Sequence, residues 1–115
     1  MTPEQKDLLL KDLCARLPYG VKVEYNGEKY KIANVSICNE TITIYGERGY
    51  PMEVEIKKVK PYLFPLSSMT EEQFEEYMTI PSGHPSIDWF NKNYVDYRCL
   101  IERGLAEDAT GKNIY

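Results

Sequence analysis

The first twenty residues carry the pattern of an amphipathic helix. Leucines recur at every fourth position from Leu9 to Leu17, which places them on one helical face. Thr2-Pro3-Glu4-Gln5 supplies an N-cap, a proline at the first helical position and the glutamine of a capping box. Pro18-Tyr19-Gly20 is a stop signal. The pattern predicts a helix within residues 1–19.

Apolar and polar residues then alternate with a period of two, which is typical of half-buried strands. The strand-like segments are 21–25, 28–37, 41–45 and 52–57. Asn26-Gly27 predicts a tight hairpin turn, because both residues tolerate a positive φ. The alternation shifts near Asn34, which predicts a β-bulge. Lys60-Pro61 ends or borders the fourth strand, because proline cannot donate to a ladder.

These segments predict an α+β fold. We expect an N-terminal helix, a four- to five-stranded antiparallel meander over residues 20–64, and short C-terminal helices. With one apolar face and a bulge, the meander is expected to curl into an SH3-like partial barrel. A flat four-stranded sheet packed on the first helix is the alternative.

Helical signals return over residues 65–106. Thr70-Glu71-Glu72-Gln73 is a second capping box and predicts a helix to about Met78. Ser86 is the expected cap of a third helix. Asp96 is the expected cap of a short fourth helix that ends at Gly104. The polar segment 107–115 is expected to be a loosely held tail, and residues 1–115 to form one domain.

Charge and cysteine usage narrow the classes of function. The net charge is −4, which argues against non-specific nucleic-acid binding, since that needs a basic footprint. The charge is uneven: residues 20–60 hold seven Lys/Arg against six Asp/Glu, and residues 61–115 hold four against nine. Three widely spaced cysteines, without a signal peptide or an apolar membrane span, predict reduced thiols in a cytoplasmic protein.

No motif predicts catalysis, a cofactor or a metal. His84, Asp88 and Cys99 could form a Cys-His-Asp nucleophile site only if the imidazole lay at hydrogen-bond distance from the thiol. His84 lies between two prolines, so we expect a loop histidine and a buried cysteine. A zinc site from Cys14, Cys38, Cys99 and His84 would lack the close ligand pairs of structural zinc sites.

Two further charged or glycine-rich segments have ordinary explanations. Glu71, Glu72, Glu75 and Glu76 follow a predicted helix start, where acidic residues form a solvated face. The segment Gly46–Gly49 lacks the Gly-Lys-Ser/Thr sequence and the following helix of a phosphate loop.

A lysine cluster near the end of the fourth strand is the first candidate surface. Lys57, Lys58 and Lys60, with Tyr62 and Phe64 beyond them, could hold a nucleic-acid strand by phosphate contact and stacking. We favour a simpler interpretation in which these lysines protect a sheet edge from pairing with other chains.

Aromatic residues near the C-terminus form the second candidate surface. At helical spacing, Trp89 and Phe90 are expected in the core. Tyr94, Tyr97 and Arg98 are of the types that anchor protein interfaces and lie where two short helices meet. They are the candidate surface for a protein partner.

Three segments carry a resemblance to a family. They are Leu9-Leu10-Lys11-Asp12-Leu13-Cys14-Ala15-Arg16-Leu17-Pro18-Tyr19-Gly20-Val21, Lys60-Pro61-Tyr62-Leu63-Phe64-Pro65-Leu66-Ser67-Ser68-Met69-Thr70, and Ile87-Asp88-Trp89-Phe90-Asn91-Lys92-Asn93-Tyr94-Val95-Asp96-Tyr97-Arg98 with the following Leu100-Ile101-Glu102-Arg103-Gly104-Leu105-Ala106. The chain resembles an uncharacterised group of small proteins from gut Bacteroidales and their phages and prophages. The resemblance implies a bacterial or phage cytoplasmic origin and a host or phage protein as partner. It implies no activity, cofactor or catalytic residue.

The sequence therefore predicts a small non-enzymatic protein-binding module. The first alternative is a nucleic-acid-binding SH3-like domain that uses the Lys57–Lys60 lysines. The second is an enzyme of unidentified class with a pocket near His84 or Cys99.

Overall fold

A computed structural model describes residues 2–46, 49–78 and 86–115. The fold is α+β. In chain order its elements are α1 (Pro3–Arg16), β1 (Lys22–Tyr25), β2 (Glu28–Ser36), β3 (Thr41–Tyr45), β4 (Met52–Glu55), β5 (Val59–Pro65), α2 (Glu71–Met78), α3 (Ser86–Lys92), β6 (Val95–Asp96) and β7 (Glu107–Asp108). Among these residues no helix is long and apolar enough to cross a membrane.

Helix α1 begins and ends at the predicted signals. The Thr2 hydroxyl accepts from the Gln5 backbone N–H at 3.1 Å, and the Gln5 side chain accepts from the Thr2 N–H at 2.9 Å. This capping box satisfies backbone donors that have no partner inside the helix. A 3-10 turn over Leu17–Tyr19 follows, and Gly20 adopts a φ of 74°, which suits glycine. The helix prediction is confirmed.

The strands form one mostly antiparallel sheet in the order β4-β3-β2-β1-β5-β6, with β7 also paired to β5. Asn26 and Gly27, at φ 51° and 81°, make the tight turn between β1 and β2. The ladder between β2 and β3 shifts register between Ile32 and Asn34, where the bulge was predicted. The first four strands follow the sequence pattern closely.

The sheet differs from the predicted barrel. It is open, so the SH3-like closure is not confirmed. A fifth strand, β5, pairs with β1 on one side and in parallel with β6 and β7 on the other. Pro61 lies within this interior strand opposite Val23, and the parallel pairing on its other side begins only at Tyr62. The strand therefore tolerates the missing N–H, and Lys60-Pro61 is not at an edge.

One face of the sheet packs against α1, and we call it the inner face. Its core contains Leu9, Leu10 and Leu13 of α1 together with the inward residues of the strands, which are Val23, Ile32, Ile42, Ile44, Val54, Val59 and Leu63. The strand residues between them form the opposite, outer face, because successive side chains of a strand point to opposite sides of the sheet.

The C-terminal third is partly as predicted. Thr70 and Gln73 form the second capping box, and α2 ends at Met78. The fourth helix is wrong: residues 97–104 form turns. Asp96 does act as a cap, since its two carboxylate oxygens accept from the N–H groups of Leu100 and Ile101 at 2.9 and 3.0 Å. Cys99, at φ 58°, interrupts any helix there.

The segment Glu107–Tyr115 also differs from the predicted loose tail. We call it the strap. Its first two residues form β7, and the Ala109 N–H donates to the Leu63 carbonyl at 2.8 Å. Ala109 and Ile114 pack with Tyr62 in a second, small core on the outer face. The strap is polar in composition, and its two buried apolar residues add to the hydrogen bonds of β7 and Tyr115 that attach it.

Candidate functional site

The predicted partner surface lies beside a buried charge cluster. Asp12 and Arg16 of α1 are both fully buried, and the Arg16 Nε lies 2.9 Å from an Asp12 oxygen. The other Asp12 oxygen receives Arg98 Nη1 at 2.7 Å. Arg16 also donates to the Val95 carbonyl at 2.7 Å and to the Phe90 carbonyl at 3.3 Å. A buried carboxylate is stable only when it is paired and hydrogen-bonded. Arg98 supplies a charge-assisted bond to Asp12 and so joins the C-terminal region to α1.

The two tyrosines of this predicted surface are also engaged inside the protein. The Tyr97 ring stacks on Phe90 and lies between two guanidinium groups, at 5.3 Å from Arg16 and 4.6 Å from Arg98. Burial raises the pKa of the Tyr97 phenol, while the Arg98 charge opposes that rise. The ring stack and the two aromatic–cation contacts hold residues of one chain together. They leave part of each ring exposed, since Tyr97 is only half-buried.

Tyr94 has the same kind of internal role. Its hydroxyl donates to the Tyr19 carbonyl, and its ring stacks on Tyr115 with centroids 3.7 Å apart. Tyr94 adopts a φ of 58°, which an irregular turn accommodates. The structure thus brings Tyr94, Tyr97 and Arg98 to one side of the fold, but as links between α1, the C-terminal turns and the strap.

The predicted lysine stripe does not form one surface. Lys57 and Lys58 lie on a 3-10 turn after β4, where Lys57 pairs with Glu55 at 3.2 Å and lowers the pKa of that carboxyl. Lys60 lies in β5 and pairs with Glu107 of the strap at 3.7 Å. Tyr62 is buried beneath the strap at 8% exposure. The stripe is divided, and carboxylates accompany two of its three lysines.

The catalytic and metal candidates receive no support from the described part of the chain. His84 lies outside the described residues, as does the side chain of Asp88. The expectation of a buried Cys99 is wrong, because the residue lies exposed on a turn. Burial raises the pKa of the Cys14 thiol, which lowers its nucleophilic thiolate fraction. Residues 2–46, 49–78 and 86–115 contain no cluster of side chains that could hold a metal ion.

The remaining candidates behave as expected of ordinary surface segments. The four glutamates of α2 are exposed. The Gly46 carbonyl accepts a hydrogen bond from the Gly49 N–H at 3.2 Å, and the next described element after Gly49 is strand β4, not a helix. Trp89 is buried, as predicted, whereas Phe90, which was also expected in the core, is only half-buried. The two rings meet edge to face at 5.7 Å.

A different set of basic and aromatic residues lies on the outer face. Lys22 of β1 is directly opposite Lys31 of β2, and Lys31 is directly opposite Tyr45 of β3. Their neighbours Val23, Ile32 and Ile44 point to the inner core, so these three point outward. The row continues to Tyr62 of β5, because the Tyr115 hydroxyl joins the Lys22 N–H at 2.8 Å to the Tyr62 carbonyl at 2.9 Å. We call Tyr45, Lys31, Lys22 and Tyr62 the outer row.

Two shallow hollows flank the exposed end of the outer row. One, of about 130 Å³, has a lining without a carboxylate: Lys22, Lys29, Tyr30, Lys31, Tyr45 and Gly46. The second, of about 550 Å³, shares Lys29, Tyr30 and Gly46 and adds Glu28, Gly49, Tyr50 and Met52. Among the described residues Lys29 and Lys31 form no ion pair. Tyr50 is 93% exposed.

Part of the outer row could have been predicted from the sequence through the register of the first hairpin. A two-residue turn at Asn26-Gly27 places Tyr25 opposite Glu28 and therefore Lys22 opposite Lys31, as the ladder shows. Counting charges along the chain conceals this pairing, since nine positions separate the two lysines. The position of Tyr62 in the row could not be read from the sequence, because it depends on long-range pairing of β5 with β1.

Comparison with protein-family models, with curated proteins and with solved structures finds no match for this chain.

Proposed function

We propose that the protein is a non-enzymatic binding domain that holds a single-stranded nucleic acid on the exposed end of the outer row. The observation that carries the proposal is the direct opposition of Lys22 and Lys31 on adjacent strands. Like charges in that position destabilise a sheet. A bound phosphate chain between them relieves the repulsion.

The neighbours of this pair fit the same ligand. Lys29 adds a third ammonium group beside the hollow, and Tyr45 and Tyr50 offer exposed rings on which bases can stack. Two carboxylates lie near this surface, since Glu24 is directly opposite Lys29 and Glu28 lines the second hollow, while four of the chain's 18 acidic residues lie on the exposed side of α2. A local basic surface on an acidic protein favours modest affinity with strong salt dependence.

The test compares two double substitutions with the same change in net charge. Binding of a labelled twelve-nucleotide DNA or RNA strand is measured by fluorescence anisotropy. Lys29→Glu with Lys31→Glu should weaken binding at least tenfold. Lys57→Glu with Lys58→Glu, outside the hollow, should change it less than twofold. With three phosphates neutralised, log K should fall with log salt at a slope of about −2.

Two results would contradict the proposal. Equal losses in the two double variants would mean that net charge, and not the outer row, governs binding. Absence of binding at protein concentrations of about 1 mM in low salt would exclude the class of ligand, since even non-specific binding is stronger than that.

A protein partner that adds a strand to β4 is the second candidate. Within residues 2–46, 49–78 and 86–115, β4 pairs only with β3, which leaves one side of its backbone without a strand partner there, and the highly exposed Tyr50 lies just before it. Affinity capture from lysate with and without nuclease separates the two candidates. A protein that is recovered after nuclease treatment, and is lost with Tyr50→Ala but retained with Lys29→Glu plus Lys31→Glu, would favour this candidate.

A further inference from the structure

The outer row is exposed at one end and covered at the other. Tyr45 and Lys31 face solvent, whereas Tyr62 lies beneath the strap. Phe64 follows Tyr62 on the same face of β5 and packs against the same small core. The basic and aromatic character of the row therefore continues under residues 107–115.

The strap contacts this covered end with groups that a nucleic acid would also offer. The Glu107 carboxylate lies 3.7 Å from Lys60, and the Ile114 carbonyl accepts from Lys22 Nζ at 2.8 Å. The Tyr115 ring lies near the Lys22 ammonium, at 5.6 Å, and near Phe64, at 6.1 Å. The strap therefore contacts the lysines with an anion and a hydrogen-bond acceptor, and it contacts Phe64 with an aromatic ring.

The apolar anchors of the strap lie outside the main core, which the strap approaches through the stacking of Tyr115 on Tyr94. β7 contributes only two ladder positions, and the apolar anchors Ala109 and Ile114 belong to the small outer core with Tyr62. The main core ends with Leu105 and Ala106, immediately before the strap. Detachment of residues 107–115 consequently leaves every contact between α1 and the inner face in place.

We propose that the strap is an internal competitor that covers the second half of the nucleic-acid surface and is displaced when a longer strand binds. This inference rests on the proposed function. With the strap displaced, Lys60, Tyr62 and Phe64 join Lys22 and Lys31 as one continuous surface across the three strands β5, β1 and β2. The affinity of the domain is then reduced by the fraction of molecules in which the strap is closed.

The experiment weakens the strap without changing the net charge. Ile114→Ser removes an apolar anchor, and Tyr115→Phe removes the hydroxyl that joins β1 to β5. Ile37→Ser, at a 65% exposed position in the turn after β2, is the matched control. Each strap variant should bind the twelve-nucleotide strand at least threefold more tightly than the unmodified chain. The control should bind as the unmodified chain does.

Hydrogen exchange on the unmodified chain gives a second measurement that needs no variant. The Ala109 amide, which donates to Leu63, should exchange faster when the oligonucleotide is added. The Leu105 amide, which donates to the Leu100 carbonyl at 2.8 Å within the main core, should not. This measurement decides the matter if a strap variant proves unfolded by circular dichroism.

The outcomes separate the two proposals. Tighter binding by the strap variants, or binding by them alone, together with faster Ala109 exchange supports the competitor. Binding by the unmodified chain with no gain in the variants and unchanged Ala109 exchange overturns the competitor and leaves the proposed function intact. Absence of binding by every protein overturns both.

Discussion

Two regions of the molecule each bring two cationic side chains together, and they do so in opposite ways. Arg16 and Arg98 share the buried carboxylate of Asp12, and further Arg16 donors are satisfied by backbone carbonyls. Lys22 and Lys31 meet on an exposed sheet face beside a hollow that has no carboxylate in its lining. Buried charges require partners from the same chain. Lys31 forms no ion pair among the described residues, and Lys22 is held by the Ile114 carbonyl rather than by a carboxylate in that hollow.

The comparison teaches that residue type alone does not identify a binding surface. Tyr94, Tyr97 and Arg98 have the chemistry of interface anchors, yet they join distant parts of one chain. The outer row contains lysines that look ordinary in the sequence, and it is the less committed of the two regions. The following predictions test this difference, in order of decreasing effect on stability.

Removal of the shared carboxylate should have the largest effect. Asp12→Ala leaves the fully buried Arg16 without its carboxylate partner, and breaking a buried pair costs about 3–5 kcal/mol of unfolding free energy. Urea denaturation followed by circular dichroism measures this loss. Asp7→Ala, which breaks an exposed pair with Lys11 on the same helix, should cost less than about 1 kcal/mol. Similar losses in the two variants would show that the buried cluster is not structural.

Loss of the Tyr115 hydroxyl should have an intermediate effect. Tyr115→Phe deprives the Lys22 N–H and the Tyr62 carbonyl of their partner, which costs about 1–3 kcal/mol when such groups stay buried. The same denaturation experiment measures it. Tyr50→Phe, at a 93% exposed position, should be neutral. A neutral result at Tyr115 would mean that water replaces the hydroxyl at once.

Alkaline pH should act on the same group. Burial raises the pKa of the Tyr115 phenol above its ordinary value of 10.0, so the folded-state pKa exceeds the unfolded one. The stability contributed by the neutral phenol is therefore fully present below pH 10 and is lost as the pH rises toward the folded-state pKa. Tyr115→Phe should show a shallower loss of stability above pH 10 than the unmodified chain. Identical pH profiles would exclude Tyr115 as the titrating group.

The outer row should have the smallest effect on folding. Lys31→Ala removes a like charge opposite Lys22, so unfolding free energy should change by less than about 0.5 kcal/mol or rise slightly. Denaturation in low and high salt measures the change and its screening. A loss of unfolding free energy above about 1 kcal/mol would show that Lys31 stabilises the fold, as the buried arginines do, and would contradict the difference between the two regions.

Local signals predicted the N-terminal half well, for physical reasons. Capping boxes, the Asn26-Gly27 turn and the bulge near Asn34 depend on residues a few positions apart, and each is observed. The fourth helix failed because Asp96 can cap a turn as readily as a helix. A capping side chain accepts from the first free N–H groups after it, whether one turn or a whole helix follows.

The distant pairings could not be read in the same way. The position of β5 between β1 and two short parallel strands, and the attachment of the strap, arise from contacts between residues dozens of positions apart. For the candidate surfaces, residue types predicted the right chemistry at the wrong place. The role of Arg98 depended on Asp12, which is 86 positions away.

The long reach of these contacts also bears on how the protein is made. Asp12 and Arg16 leave the ribosome early, but the carbonyls and the guanidinium group that complete their cluster belong to residues 90–98. The hydrogen-bond partner of the Lys22 N–H is made later still, because it is the hydroxyl of Tyr115. During translation Asp12 and Arg16 therefore lack these partners until residues 90–98 are made, and the buried charge cluster is completed only near the end of synthesis.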